Sequence, residues 1–164
     1  MSRFSICEGG ELFDRIDEIG SFNEAKARFV FSQIVKTIKY LHLQKICHRD
    51  LKAENFLFLK AEDDIITLID FGMAFQWKEN MKSELVLSGN NKLVGTSYYV
   101  APEVIAKEYD NRADIWSLGV LLHVIVSASP PFGGDDDKEI LLNVKNGIYV
   151  ESKVSVTQMK KLSN

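Results

Sequence analysis

From position 27 onward, Ala27, Val30, Phe31, Ile34, Val35, Ile38 and Leu41 recur every three or four residues, which places them on one wide apolar stripe of a helix. Ahead of the stripe, Ser21-Phe22-Asn23-Glu24 reads as a capping box, so the helix is expected to open there and to run to about His42. A shorter helical pattern covers residues 10 to 18, just after Gly9-Gly10. Beyond the long helix the period changes. Phe56 to Leu59 and Ile65 to Ile69 are brief apolar runs flanking the polar Lys60-Ala61-Glu62-Asp63-Asp64, the signature of a β-hairpin. Residues 73 to 95 are irregular and polar, a loop long enough to point to function or disorder. A helix from about Asn111 to Ser127 is apolar nearly all round and stops at Pro130-Pro131, so it is expected to be the central element of the core. A last helix from about Lys138 to Asn146 ends at Gly147, and after Val150 the pattern turns ragged. The sequence shows no internal repeat, low-complexity tract or second domain.

Composition narrows the function classes. The 164 residues are 46% hydrophobic and 26% charged, which suits one globular domain with its own core. A net charge of -3 and a pI near 5.6 provide no basic field for nucleic acid or an anionic membrane. Cys7 and Cys47 are too few and too far apart for a metal cluster or a disulfide framework and fit a reducing cytosol, so a soluble, cytoplasmic protein is expected. The longest apolar run, Ile115 to Val126, holds Ser117 and His123 and is too short to span a bilayer. Arg3, Glu8, Glu11, Asp14 and Arg15 interrupt any secretory apolar segment, and Ser2 stands where myristoylation requires glycine.

The candidate chemistry lies at the ends of the hairpin. His48-Arg49-Asp50-Leu51-Lys52-Ala53-Glu54-Asn55 is followed, fifteen residues past Asn55, by Asp70-Phe71-Gly72. Asn55 and Asp70 offer hard oxygen ligands, which is what Mg²⁺ requires, and Asp50 is a carboxylate able to accept a proton. Any one of them alone reads better as a solvated loop carboxylate or a turn asparagine. Together at this spacing they outweigh that plain reading.

These runs, together with Gly9-Gly10-Glu11-Leu12-Phe13-Asp14-Arg15-Ile16, Gly95-Thr96-Ser97-Tyr98-Tyr99-Val100-Ala101-Pro102-Glu103, Asp114-Ile115-Trp116-Ser117-Leu118-Gly119 and Pro130-Pro131-Phe132, follow in an order that resembles the large lobe of a eukaryotic-type Ser/Thr protein kinase. Within that family, the first of these runs, Glu54-Asn55-Phe56-Leu57 and Tyr98-Tyr99 are most similar to the calcium/calmodulin- and calcium-dependent protein kinases. The resemblance implies a mainly α fold with short β hairpins: a partial kinase domain over residues 1–150, from the hinge to the helix after Pro-Pro-Phe, without the small N-terminal lobe, and a ragged tail over 151–164. It implies ATP and Mg²⁺ as cofactors and protein Ser/Thr hydroxyls as acceptors. On the positions that match, Asp50 would accept the hydroxyl proton, Lys52 would offset charge on the transferred group, and Asn55 and Asp70 would hold the metal. Glu8 lies in the hinge strand, Cys7 to Glu11, whose backbone would bond adenine. Leu57 would floor the base, its other reading being ordinary core. Glu11 and Glu54 match positions that bind an upstream Arg of the substrate, or are plain surface carboxylates. Arg49 would meet a phosphate or acid of the activation segment, Asp114 would hold the catalytic-loop backbone, and Thr96 would bond near Asp50 and Lys52. Ser83 and Ser88 lie where a phosphate could order the loop, though unmodified loop serines are the commoner case.

The pattern also departs from the family. No Gly-x-Gly-x-x-Gly loop, strand lysine or partner glutamate occurs before Asp50, and Lys26, Lys36, Lys39 and Lys45 fall on or just beyond the long helix. The 164-residue chain by itself is therefore expected to transfer phosphate at a negligible rate. The alternative is a non-catalytic module that binds partners through the groove beside Glu11, Glu54 and the Lys138 helix. Glu103 would ordinarily meet an arginine from a later segment, yet the last arginine is Arg112, so a buried Glu103 would leave its surroundings poorly held. Apolar surface normally covered in the family is expected to favour self-association. Ala53 replaces the usual proline, and Asp135-Asp136-Asp137-Lys138-Glu139 lacks the spacing of a calcium loop.

Overall fold

In the computed structural model, which describes residues 7–77, 97–107 and 109–150, helices α1 (Leu12–Ile19) and α2 (Glu24–Leu43) come first. The predicted stripe of α2 is narrower than the sequence suggests. Ala27, Val30, Ile34, Ile38 and Leu41 are buried, while Phe31 packs from the flank and Val35 is exposed. The cap is also two residues later than the capping box implies. Asn23 accepts from the Lys26 N–H at 3.0 Å, because the Phe22 N–H is held by the Ile125 carbonyl at 2.9 Å and the chain is still extended there.

Strands β1 (Ile46–Cys47), β2 (Phe56–Phe58), β3 (Ile66–Leu68) and β4 (Phe75–Gln76) form two antiparallel pairs, β2 with β3 and β1 with β4. The hairpin forms as expected, with Phe56 opposite Leu68 and Phe58 opposite Ile66. The pairing of Cys47 with Phe75 corrects the expectation that the loop is irregular from residue 73. Residues 8 to 10 lie along β2 as a further extended segment. Glu8 and Gly9 donate to the carbonyls of Leu59 and Phe58, each at 3.1 Å, and the Phe58 N–H donates to the Gly10 carbonyl at 3.0 Å. Gly9 is required here because a Cβ would lie 2.4 Å from the Lys60 oxygen.

Three helices complete the described chain: α3 (Pro102–Ile105), α4 (Ala113–Ser127) and α5 (Asp137–Asn146). Helix α4 buries Asp114, Leu118, Leu121, Val124 and Ile125 and packs on α2. It is not enclosed on every side, contrary to expectation: Ile115 is 54% exposed. With Trp116, Gly119, Val120, His123, Pro131 and Phe132, it lines an open apolar groove rimmed by Glu103 and Arg112. Trp116 and Phe132 stack there with centroids 5.6 Å apart. Helix α5 is capped by Asp136, whose side chain accepts from the Glu139 N–H, and closes at Gly147 in the left-handed region. No helix among the described residues is long and apolar enough to cross a membrane.

Candidate active site

The loop between β1 and β2 carries the densest polar constellation, and one buried carboxylate anchors its backbone. Asp114, in the first turn of α4, accepts from the His48 N–H and the Arg49 N–H, each at 2.9 Å. Its Oδ2 also meets His42 Nε2 at 2.8 Å. The Asn111 amide nitrogen lies 3.3 Å from His42 Nδ1; since that nitrogen can only donate, Nδ1 accepts and Nε2 carries the proton toward Asp114. Burial raises the Asp114 pKa, but the hydrogen bonds from His42, His48 and Arg49 outweigh it and hold the carboxyl below its ordinary value. Arg49 sits at φ 69°, a conformation costly for a side chain with a Cβ, and the Asp114 bond to its own N–H holds it there. The loop is thus anchored from underneath, as expected for Asp114.

On that anchored loop, Lys52 Nζ lies 3.6 Å from Asp50 Oδ2, both side chains largely covered. The Asn55 side-chain nitrogen donates to the Asp50 carbonyl at 2.8 Å, so the amide oxygen is the atom with lone pairs to offer a cation. The Ile69 N–H donates to the Asn55 carbonyl at 2.8 Å, which brings the residue before Asp70 against Asn55 at the open end of the hairpin. Asp70 is exposed, sits at φ 59°, and turns Oδ1 back to accept the Gly72 N–H at 3.0 Å. Among the described residues no three His, Cys, Asp or Glu side chains gather to hold a metal. One amide and one carboxylate do fit a Mg²⁺ that arrives on nucleotide phosphates, because Mg²⁺ keeps most of its shell as water and phosphate oxygen.

At the other side of the hairpin, Leu57 is half-buried and faces away from the core into which Phe56 and Phe58 point. Glu11 bridges to Leu57 in antiparallel fashion and precedes α1 without its side chain capping the helix, so its carboxylate remains available. The Glu8 N–H is committed to Leu59, so any contact it makes to a base comes from its carbonyl or side chain. Glu54 is half-buried with Oε2 buried and without a hydrogen-bond partner. Burial and the charge of Glu54 push the Tyr99 hydroxyl up to about 12.

Arg49 directs Nε to the Met73 carbonyl at 2.6 Å and lies over the Phe75 ring. Phe71 packs edge-on against the buried His48, with centroids 5.2 Å apart. Glu103 is half-buried on the groove rim near Arg112, so the condition for a fully buried lone charge is not met. Thr96, Ser83, Ser88, Gly95 and the 151–164 tail lie outside the described residues.

Two features escaped the sequence analysis. His42 entered it only as the approximate end of the long helix; α4 reveals its carboxylate partner. Arg15 entered it only as a charge that breaks an apolar segment and as a member of the Gly9 to Ile16 run, yet its guanidinium binds four backbone carbonyls. No local signal marks either role.

A family model described as protein kinase domain matches residues 3–164. The chain is 46% identical over 148 residues to calcium-dependent protein kinase 3 of Plasmodium yoelii yoelii, covering 88% of this chain and 26% of the relative. It is 40% identical over 163 residues to calcium-dependent protein kinase 4 of Plasmodium falciparum, covering 97% and 29% respectively. With calcium-dependent protein kinase 21 of Oryza sativa subsp. japonica the figures are 41% over 143 residues, 87% and 24%. The chain spans about a quarter of the length of these curated relatives.

Proposed function

Because the chain belongs to the protein kinase family, we propose that it supplies the catalytic-loop half of an ATP-dependent kinase acting on protein Ser/Thr hydroxyls. The observation that carries this is the joining of Asp50, Lys52, Asn55 and Asp70 through a loop pinned by Asp114 and a hairpin closed at Asn55. Similarity to calcium-dependent protein kinases supports the same reading.

In that role Asp50 accepts the substrate hydroxyl proton, and Lys52, 3.6 Å away, balances charge on the phosphoryl group. Asn55 and Asp70 would hold the Mg²⁺, which when bound neutralises the phosphate oxygens. Leu57 offers its open face to adenine beside the Glu8 to Glu11 segment. Cys7 and Cys47, not joined to each other in a disulfide, support a reducing cytoplasm. The apolar groove along α4, with an acid and a base on its rim, supports pairing with a second copy of the chain.

Titration with ADP tests the metal assignment. Affinity is expected to be weak and to rise with Mg²⁺; Asp70→Asn, which keeps an oxygen for the Gly72 N–H, should remove the Mg²⁺ enhancement and leave metal-free binding unchanged. Equal enhancement in both proteins would remove Asp70 from the metal site.

The half-buried Glu54 supports substrates with an upstream arginine, since the exposed part of its carboxylate could pair a guanidinium. In a fusion that carries a small lobe, Glu54→Gln is expected to raise KM for an Arg-containing peptide about tenfold, the equivalent of about 1.4 kcal/mol. KM for the same peptide with Ala in place of Arg should not change.

A further inference from the structure

Arg15 leaves the first turn of α1 and crosses the hairpin rather than reaching solvent; its side chain is 13% exposed. One terminal nitrogen donates to the carbonyls of Gly9 at 3.1 Å, Lys60 at 3.3 Å and Ala61 at 3.2 Å. The other donates to the Asp63 carbonyl at 2.9 Å and to Asp64 Oδ1 at 3.3 Å. The guanidinium carbon lies 3.5 Å from the centroid of Phe58. Lys26 shares Asp64 at 2.9 Å, and Gln33 binds the Asp64 carbonyl and the Ile66 N–H, so the hairpin turn is tied to α2 as well. A planar cation with five N–H groups is thus spread over four carbonyls that come from two separate segments. An ammonium, which is a point donor, could not bridge them.

We propose that Arg15 is a positioning residue for the nucleotide base: it clamps the segment at Gly9 onto the turn of the hairpin and so sets the adenine-facing edge against Leu57. This rests on the kinase reading of the site. Gly9 has no side chain with which to hold itself, and the segment meets β2 through backbone bonds at Glu8, Gly9 and Gly10 and the bridge from Glu11 to Leu57, so the clamp adds the side-chain share of what fixes its distance. The clamp acts at the turn of the hairpin, while Asn55 and Asp70 occupy its open end. It therefore governs the base rather than the metal.

The test uses the whole 164-residue chain, with amide exchange as one readout and titrations with adenosine and with Mn²⁺ as the others. Arg15→Met is expected to speed exchange of the Glu8 and Gly9 amides about tenfold relative to the His48 and Arg49 amides, a loss comparable to one charge-assisted hydrogen bond. It should weaken adenosine about threefold or more and leave Mn²⁺ broadening at Asp70 unchanged. Arg15→Lys should fall between, and Arg28→Met, which breaks only an exposed pair with Glu24, should do nothing. Asp64→Asn, which loosens one anchor, should act in the same direction more weakly and serves if Arg15→Met does not fold. A uniform rise in exchange across all these amides, or unchanged adenosine affinity, overturns the proposal. If the unsubstituted chain takes up no adenosine although exchange at Glu8 and Gly9 responds to Arg15→Met, the nucleotide-site reading itself falls and the base-positioning role falls with it.

Discussion

Asp114→Ala is expected to lower folding stability by about 3 to 5 kcal/mol, the cost of removing one side of a buried charged network. Against a typical total of about 5 to 15 kcal/mol, that loss leaves much of the chain unfolded in mild denaturant. The cause is specific. The His48 and Arg49 N–H groups lose the carboxylate that accepts them at 2.9 Å, and little water can replace it because Asp114 is 1% exposed. Asp114→Asn should cost less, about 1 to 3 kcal/mol: its oxygen can serve the His42 and His48 side, but its NH₂ then faces the Arg49 N–H. The same carboxylate sets an acid limit. Its folded pKa lies below the ordinary 3.8, so the stability it contributes is fully present above about pH 3.8 and is lost as pH falls through the lower folded value. Urea unfolding at pH 7 and at pH 3 should show a smaller difference for Asp114→Asn than for the unsubstituted chain. An equal difference would mean that other carboxylates dominate.

The second large effect concerns transfer itself. The purified 164-residue chain should give no measurable phosphorylation of a Ser/Thr peptide, because its sequence holds neither a glycine-rich loop nor a lysine placed to pair the phosphates. Fused to a small lobe that supplies both, it should gain Mg²⁺-dependent transfer. Within that fusion Asp50→Asn should lower kcat by about 10² to 10⁴, the usual worth of a positioned general base, with little change in KM for ATP. Lys52→Met should lower kcat less, because Lys52 stabilises charge without taking the proton. Robust transfer by the unfused chain that Asp50→Asn abolishes would show that this half suffices. Retained activity in the Asp50→Asn fusion would remove Asp50 from the mechanism.

The helices were legible wherever their signal lay in neighbouring residues. Residues 27 to 41 repeat with the period of one helix face, and α2 buries Ala27, Val30, Ile34, Ile38 and Leu41 as that period requires. The hairpin was legible for the same reason, with its apolar runs and polar turn adjacent in the chain. The order of His48 to Asn55 and Asp70 to Gly72 likewise pointed to the protein kinase family, and the match to the protein kinase domain accords with it. Errors arose where the outcome depended on a distant partner. Asn23 rather than Ser21 caps α2 because Ile125 holds Phe22 extended. Ile115 faces outward although its neighbours in sequence are as apolar as itself.

By itself, then, the amino-acid order determined which elements form, in what succession, and which side chains could serve phosphoryl transfer, because those properties follow from local periodicity and from the chemistry of single residues. Only the tertiary structure decided what holds them in place. His42 and Asp114 are 72 positions apart, and Arg15 and Asp63 are 48 apart. No local pattern can encode a bond whose two ends meet only after α2, the hairpin and α4 have packed together.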